Sequence, residues 1–407
     1  MSMERITITR AAAPLRARIA LPRSKSVSNR ALLIASLLGD MDLVTDLSDG
    51  DDTRVMRDLL RERPAVMDCG AGGTTFRFLL AWASVQPDAE HIITGIPRLL
   101  HRPHDDLVQA LRTLGADITP EANGFRVRGR KMPGGSVHFD SPISSQYISA
   151  LLLIAPCLEQ GLQLRWTGTR LSEPFVHMTL KMLYHFGVRA NLTLDGVDVP
   201  PGCYVRRNYT VPPDWSSAAF WFEQVALDPG AEVCLTGLEP DTLQGDREAV
   251  QLWAPWVNCT SSAEGLLLKH RTEPGADPTE VIHMQHVPDL FQPLAFTLAG
   301  RGADAVMTGL DNLVVKETDR LRAVGEALQR LGCTASRKGG SFIQSGSITQ
   351  RGPFTLDPDI DHRMALAVAP LALVVEQVTI HDPSVVDKSY PAYWQHLRQA
   401  GYDLRVY

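Results

Sequence analysis

Four stretches of this chain carry apolar residues at helical spacing and then stop at a glycine: 107–115, 180–187, 324–332 and 393–401. In each, leucines and aromatics recur three or four positions apart between charged and amide residues, which predicts an amphipathic helix with one buried stripe. The closing Gly115, Gly187, Gly332 and Gly401 suit left-handed C-caps, and strand candidates such as Ala116-Asp117-Ile118 and Tyr402-Asp403-Leu404 follow. The four glycines are spaced by 72, 145 and 69 residues. Because the middle interval is about double the others, a degenerate copy is expected near Ala249-Val250-Gln251-Leu252-Trp253. A repeated α/β unit of roughly 70 residues follows, too long for a solenoid and suited to small sheets with packed helices.

Other helix starts carry charge and hydroxyls. An apolar, strand-like run Leu313-Val314-Val315 breaks into Lys316-Glu317-Thr318-Asp319-Arg320, and Leu321, Val324, Leu328 and Leu331 then recur at helical spacing. Thr318 is the expected N-cap. Lys316 and Arg320 bracket a helix N-terminus, which reads either as a solvated start or as a site for an anion. Pro22-Arg23-Ser24-Lys25-Ser26-Val27-Ser28-Asn29-Arg30 opens a helix through Leu38 that stops at Gly39. Its hydroxyls and N–H groups can donate to phosphate or carboxylate, Lys25 adds a point charge and Arg30 a bidentate fork. It lacks the glycines of a nucleotide P-loop. Gly70-Ala71-Gly72-Gly73-Thr74-Thr75-Phe76-Arg77 lets a backbone approach a ligand closely, and Ser144-Ser145-Gln146-Tyr147 opens a helix that Pro156 ends. Each of these three also reads as simple capping. The segment 200–213, with four prolines and one glycine before a helix near Trp215, is either a domain approach or a surface hairpin.

At 407 residues and 44% hydrophobic, the chain has room for two or three domains. A net charge of -6 without a basic block argues against a nucleic-acid binder, so any cationic site is local. No apolar run reaches the ~18 residues of a membrane span and no signal-like start is present, so a soluble cytoplasmic protein is expected. The six cysteines include no Cys-x-x-Cys pair, which suggests neither a zinc site nor a disulfide framework and makes most of them buried small hydrophobes. Pro288-Asp289, Asp361-His362-Arg363 and Asp387-Lys388-Ser389-Tyr390 put carboxylates, an imidazole and cations on loops, candidates for proton transfer and anion binding or plain turn residues and ion pairs. His283, His286 and His362 lack zinc-motif spacing, and no metal or other cofactor is expected.

Taken in order, these segments resemble the 5-enolpyruvylshikimate-3-phosphate synthases, members of the enolpyruvyl transferase family, from about Leu21 to Tyr393. The markers are Ser24-Lys25-Ser26-x-Ser28-Asn29-Arg30, Gly73-Thr74-x-x-Arg77, Arg102-Pro103, Ser144-Ser145-Gln146, Ser172-x-Pro174, Pro288-Asp289, Asn312 with Lys316-Glu317-Thr318-Asp319-Arg320, Asp361-His362-Arg363 and Lys388. The resemblance implies an α/β fold of two similar domains, each of three βαβαββ units in an inside-out barrel. Residues 1–18 with 214–407 would form one domain and 19–213 the other, with the active site in the cleft between them. It also implies transfer of the enolpyruvyl group of phosphoenolpyruvate to the 5-hydroxyl of shikimate 3-phosphate, in aromatic amino acid biosynthesis, by a monomer.

Carried over by position, Ser26 and Arg30 would hold the shikimate carboxylate, and Ser144, Ser145 and Ser172 its phosphate, with Asn312 and Lys316 completing the contacts. Lys25, Gly73, Arg102, Gln146 and Lys388 would surround the phosphate of phosphoenolpyruvate, and Arg320 and Arg363 its carboxylate. Asp289 would be the base, Glu317 the candidate acid with Lys25 sharing proton transfer, and His362 a support for the phosphate or for Glu317. Arg23, Ala71 and Phe175 depart from the family pattern, where glycine, asparagine and tyrosine are usual, and the segment from Arg61 to Asp68 is short. Retention of Gly73 implies inhibition by glyphosate in competition with phosphoenolpyruvate. The sister enzyme acting on UDP-N-acetylglucosamine carries a loop cysteine that 95–102 lacks, and a silent scaffold would have lost Asp289, Glu317 or Lys25.

Overall fold

The computed structural model describes residues 4–10, 12–142, 144–168, 172–240, 243–273 and 280–407. They form two compact units, Met1–Pro22 with Pro213–Tyr407, and Arg23–Pro212. The changeovers lie a few residues from the 18/19 and 213/214 expected from the sequence.

Among the described residues, five four-stranded sheets share one plan, a parallel pair extended by two antiparallel strands, which form a hairpin in four of them. In the first unit, Val281–His283 runs parallel to Ala305–Thr308, which pairs with the hairpin of Thr334–Lys338 and Ser341–Ser345. A second sheet joins Arg16–Ile19 in parallel to Glu232–Thr236 and adds the hairpin of Val257–Ser262 and Gly265–His270. The third is closed by the chain's N-terminal part: Arg5–Thr9 pairs antiparallel with both Val378–His381 and Asp403–Val406. Burial alternates along it, with Ile6 and Ile8 inside, as a half-buried strand requires.

The second unit has two full sheets of this plan, but its third is reduced to the parallel pair Val44–Thr45 and Tyr209–Thr210. The helix Asp51–Glu62 ends at Arg63 in the left-handed region, and only residues 63–65 precede the strand Val66–Asp68, which leaves no length for a hairpin. The short Arg61–Asp68 segment is therefore a lost hairpin.

Inside each unit, three helices that are buried nearly all round pack on one another. They are Lys25–Leu37, Gly73–Ser84 and Ser145–Ile154 in the second unit, and Trp215–Leu227, Phe291–Arg301 and His362–Val368 in the first. Their continuous apolar faces leave them no exposed side to turn outward, so the polar residues at their N-terminal ends are held in place by packing.

The repeat is visible in the caps. Gly115, Gly187, Gly332 and Gly401 take φ of 106°, 85°, 85° and 106°, the left-handed conformation expected after each amphipathic helix. The degenerate copy is a single turn, Ala249–Leu252, preceding the strand at Val257. Two local expectations are corrected. Leu313-Val314-Val315 lies in a 3-10 turn, Asp311–Val315, not a strand. The helix that follows is Arg320–Arg330, capped by Asp319, whose side chain accepts from the Arg322 N–H at 3.1 Å. Thr318 does not cap it, because its hydroxyl donates to buried Asp361 at 3.2 Å. Among the described residues no helix is long and apolar enough to cross a membrane.

Candidate active site

In the first unit, Arg320 gathers three carboxylates. Its Nε donates to Asp361 at 2.8 Å, one terminal nitrogen to Asp289 at 3.1 Å, and the other to Glu317 at 3.0 Å and Asp361 at 3.3 Å. Arg363 reaches the second Asp289 oxygen at 3.0 Å and its backbone carbonyl at 3.2 Å, and Lys388 donates to Glu317 at 2.9 Å. Three elements deliver these groups: Asp289 from the turn before Phe291–Arg301, Arg320 from the first residue of its helix, and Arg363 from the start of His362–Val368. Burial alone would lower the Arg320 pKa, but the charges of Asp361, Glu317 and Asp289 outweigh it and hold the pKa above the ordinary arginine value. The ensemble balances three carboxylates with three cations. Asn312 and Lys316 lie on the preceding 3-10 turn and at its end, and His362 is buried at the start of the next helix.

In the second unit, Lys25 at the first position of its helix pairs with Asp52 at 2.9 Å. Gly73, Arg77, Arg102 and Gln146 meet nearby in sequence-distant order. A Cβ on Gly73 would fall 2.6 Å from an Arg102 terminal nitrogen and 3.3 Å from one of Arg77, so both guanidiniums lie against a backbone that only glycine leaves open. Arg77 donates to the Gln146 amide oxygen at 2.6 Å, and the Gln146 amide donates to Thr74 at 2.9 Å. Ser144 caps the next helix by accepting from the Gln146 N–H, and Ser145 is buried at its first position. Burial, with the charges of Arg77 and Arg102, pushes His104 down to about 4. It is thus a neutral ring that donates to the Leu99 carbonyl at 2.9 Å and steadies the Arg102-Pro103 turn. Among the described residues no carboxylate pairs with Arg102.

Arg30 is not offered to a ligand in the same way. Only 2% exposed, it donates to Thr179 at 2.8 Å, Ser149 at 2.9 Å and the carbonyls of Ser26 at 2.8 Å and Phe175 at 3.3 Å. Its pKa is pulled down to about 9 by burial. Ser172 stands at the N-cap of Glu173–His185 with φ 56°, a strained setting for a non-glycine residue.

The family model described as EPSP synthase (3-phosphoshikimate 1-carboxyvinyltransferase) matches residues 9–64 and 61–397. The chain belongs to the EPSP synthase family. A 3-phosphoshikimate 1-carboxyvinyltransferase of Bacteroides fragilis is 40% identical over 404 residues, spanning 96% of this chain and 97% of that protein. One from Photobacterium damsela subsp. piscicida is 32% identical over 413 residues, 93% and 95% of the two. An EPSP synthase structure from Acinetobacter baumannii superposes with a TM-score of 0.76 over 99% of this chain and 100% of that one, at 24% identity, which supports the fold.

Several residues of these clusters carry no assignment from the sequence. Asp361 and Arg77 lay inside quoted motifs, but nothing in their spacing shows that one is the hub of the carboxylates and the other the partner of Gln146. Asp246 left no signal at all. It is 2% exposed, accepts a hydrogen bond from Ser216, and has a second oxygen without a hydrogen-bond partner. Burial and the charge of Asp289 push its carboxyl up to about 7, against the opposing pull of Arg363. The folded state therefore binds this proton more tightly than the unfolded chain, and stability falls as pH rises from about 4 to 7. Asp246→Asn is expected to flatten that slope, by up to about 4 kcal/mol across the window. Urea midpoints at pH 5 and pH 7.5 measure it, and equal slopes in the two proteins would refute it.

Proposed function

We propose that the chain transfers the enolpyruvyl group of phosphoenolpyruvate to the 5-hydroxyl of shikimate 3-phosphate, giving 5-enolpyruvylshikimate 3-phosphate and phosphate. The observation that carries this reading is Asp289 held between Arg320 and Arg363, with Glu317 bridged from Arg320 to Lys388. Both substrates are phosphorylated carboxylates. A site for them needs several cations and a base that stays charged beside them.

In the addition step, Asp289 takes the proton of the 5-hydroxyl as its oxygen bonds to C2 of phosphoenolpyruvate, and C3 gains a proton to become a methyl. Elimination then returns a proton from that methyl, expels phosphate from C2 and restores the double bond. Glu317 and Lys25 are the groups assigned to the C3 proton. Arg320 and Arg363 are assigned to the phosphoenolpyruvate carboxylate. Asp289, Glu317 and Asp361 pair with those guanidiniums, so the carboxylate of phosphoenolpyruvate has to compete with the protein's own. Lys25, Gly73, Arg102, Gln146 and Lys388 take its phosphate; the close approach of Arg102 to the Gly73 backbone supports this.

Ser144, Ser145 and Ser172 are assigned to the shikimate phosphate, with Asn312 and Lys316 on the ring hydroxyls. For Ser26 and Arg30 to hold the shikimate carboxylate, Arg30 has the second N–H of the nitrogen that donates to the Ser26 carbonyl to offer, since four of its five N–H groups are engaged by Thr179, Ser149 and the Ser26 and Phe175 carbonyls.

Phosphate release measured with both substrates, and with each omitted in turn, tests the reading. Release is expected only when both are present. Binding of shikimate 3-phosphate without any release would overturn it.

A further inference from the structure

Three of the six cysteines are buried, as small hydrophobes, but Cys157 and Cys203 are exposed. They come from distant parts of the second unit and are brought together by backbone hydrogen bonding. The Gly202 N–H donates to the Pro156 carbonyl at 2.9 Å, a bond that joins the residues immediately before the two cysteines. One residue further on, the buried Tyr204 hydroxyl donates to the Leu153 carbonyl at 2.7 Å, and the Val205 N–H donates to Phe186 at 2.8 Å. The segment 202–205 is thereby pinned along the end of the helix Ser145–Ile154 and the 3-10 turn Ala155–Cys157. Although exposed, Cys157 lies against enough protein that burial, with Cys203 as the second cause, pushes its thiol up to about 11.

We infer that Cys157 and Cys203 form a reversible disulfide, with a low-molecular-weight disulfide such as oxidised glutathione as the oxidant. The Cys203 thiolate attacks one sulfur of glutathione disulfide and displaces one glutathione thiolate. The Cys157 sulfur then attacks the Cys203 sulfur of the mixed disulfide and displaces the second. Two electrons pass from the protein to glutathione, and the two protein thiol protons end on the two glutathiones released. The high thiol pKa of Cys157 makes it slow as the first attacker, which is why the exchange starts at Cys203.

The bond would enclose the strand Leu162–Thr167, the helix Glu173–His185 and the hairpin Asn191–Val199 in one loop. That loop carries Ser172 and Thr179, the latter a fixed partner of Arg30. Cross-linking its ends restricts the unfolded chain and leaves the folded arrangement in place.

The test uses the full chain equilibrated in glutathione buffers of graded ratio, quenched by alkylation and mapped by peptide mass spectrometry. The expected product is an intramolecular peptide pair joining Cys157 to Cys203, about 2 Da lighter than the two thiol peptides together. Its formation should raise Tm by roughly 5–15 °C and be reversed by dithiothreitol. Cys157→Ser and Cys203→Ser should each abolish the pair and leave one glutathione adduct on the remaining thiol. Glutathione on both cysteines of the unsubstituted chain without a cross-link, or a disulfide only between two chains, would overturn the inference.

Discussion

Asp289→Asn is expected to slow phosphate release by about 10²- to 10⁴-fold, the usual contribution of a positioned general base. The amide keeps the shape of the carboxylate but has no lone pair basic enough to take the 5-hydroxyl proton. Its charge also matters to binding, because Asp289 accepts from Arg320 at 3.1 Å and from Arg363 at 3.0 Å. Removing that charge frees attraction on both guanidiniums, so phosphoenolpyruvate should bind at least as tightly as before. The expected signature is a collapse of kcat with an unchanged or lower KM for phosphoenolpyruvate. Steady-state phosphate release against each substrate, with binding of phosphoenolpyruvate followed by calorimetry, separates the two quantities. A rate within tenfold of the parent enzyme would remove Asp289 from the role of base. A large rise in KM at unchanged kcat would make it a structural partner of the two arginines instead.

The repeated α/β unit was legible in the chain because the repeat leaves an unusually regular trace. Each amphipathic helix ends where the backbone must turn left-handed, and glycine at 115, 187, 332 and 401 records the turn directly. Several motif residues sit at the starts of buried helices, where the same serines and glycines also read as simple caps. Pairing was harder to read. Arg320 and Arg363 look in sequence like cations awaiting a ligand, whereas Asp289 and Asp361 already share them. Arg30 looks like a fork for a carboxylate and is instead bound to Thr179 and Ser149, residues more than a hundred positions away. Asp246 shows the limit most plainly, since its pKa depends on burial and on the nearness of Asp289, and neither is written in a local motif. The proximity of Cys157 and Cys203 likewise depends on tertiary hydrogen bonds made by residues 202–205. The missing hairpin after Glu62 registered only as a short segment, because residues that are not there leave nothing to interpret.

Arg320→Met is expected to be among the most destabilising single changes in the chain. The methionine fills much of the same space without a charge, so the loss is electrostatic rather than a cavity. Asp361, whose side chain is 0% exposed, then keeps only the Thr318 hydroxyl and the Arg363 N–H, while Glu317 and Asp289 retain Lys388 and Arg363. Breaking a buried pair by removing one partner typically costs about 3–5 kcal/mol, because the remaining charge stays desolvated. Urea unfolding of both proteins at pH 8 checks this: the gap should be several kcal/mol. A gap below about 1 kcal/mol at pH 8 would place Arg320 among exposed-type ion pairs and contradict its burial. Arg320→Lys distinguishes charge from geometry. Lysine restores one positive charge but cannot span Asp361, Glu317 and Asp289 from a planar fork, so it should recover part of the stability and little of the turnover.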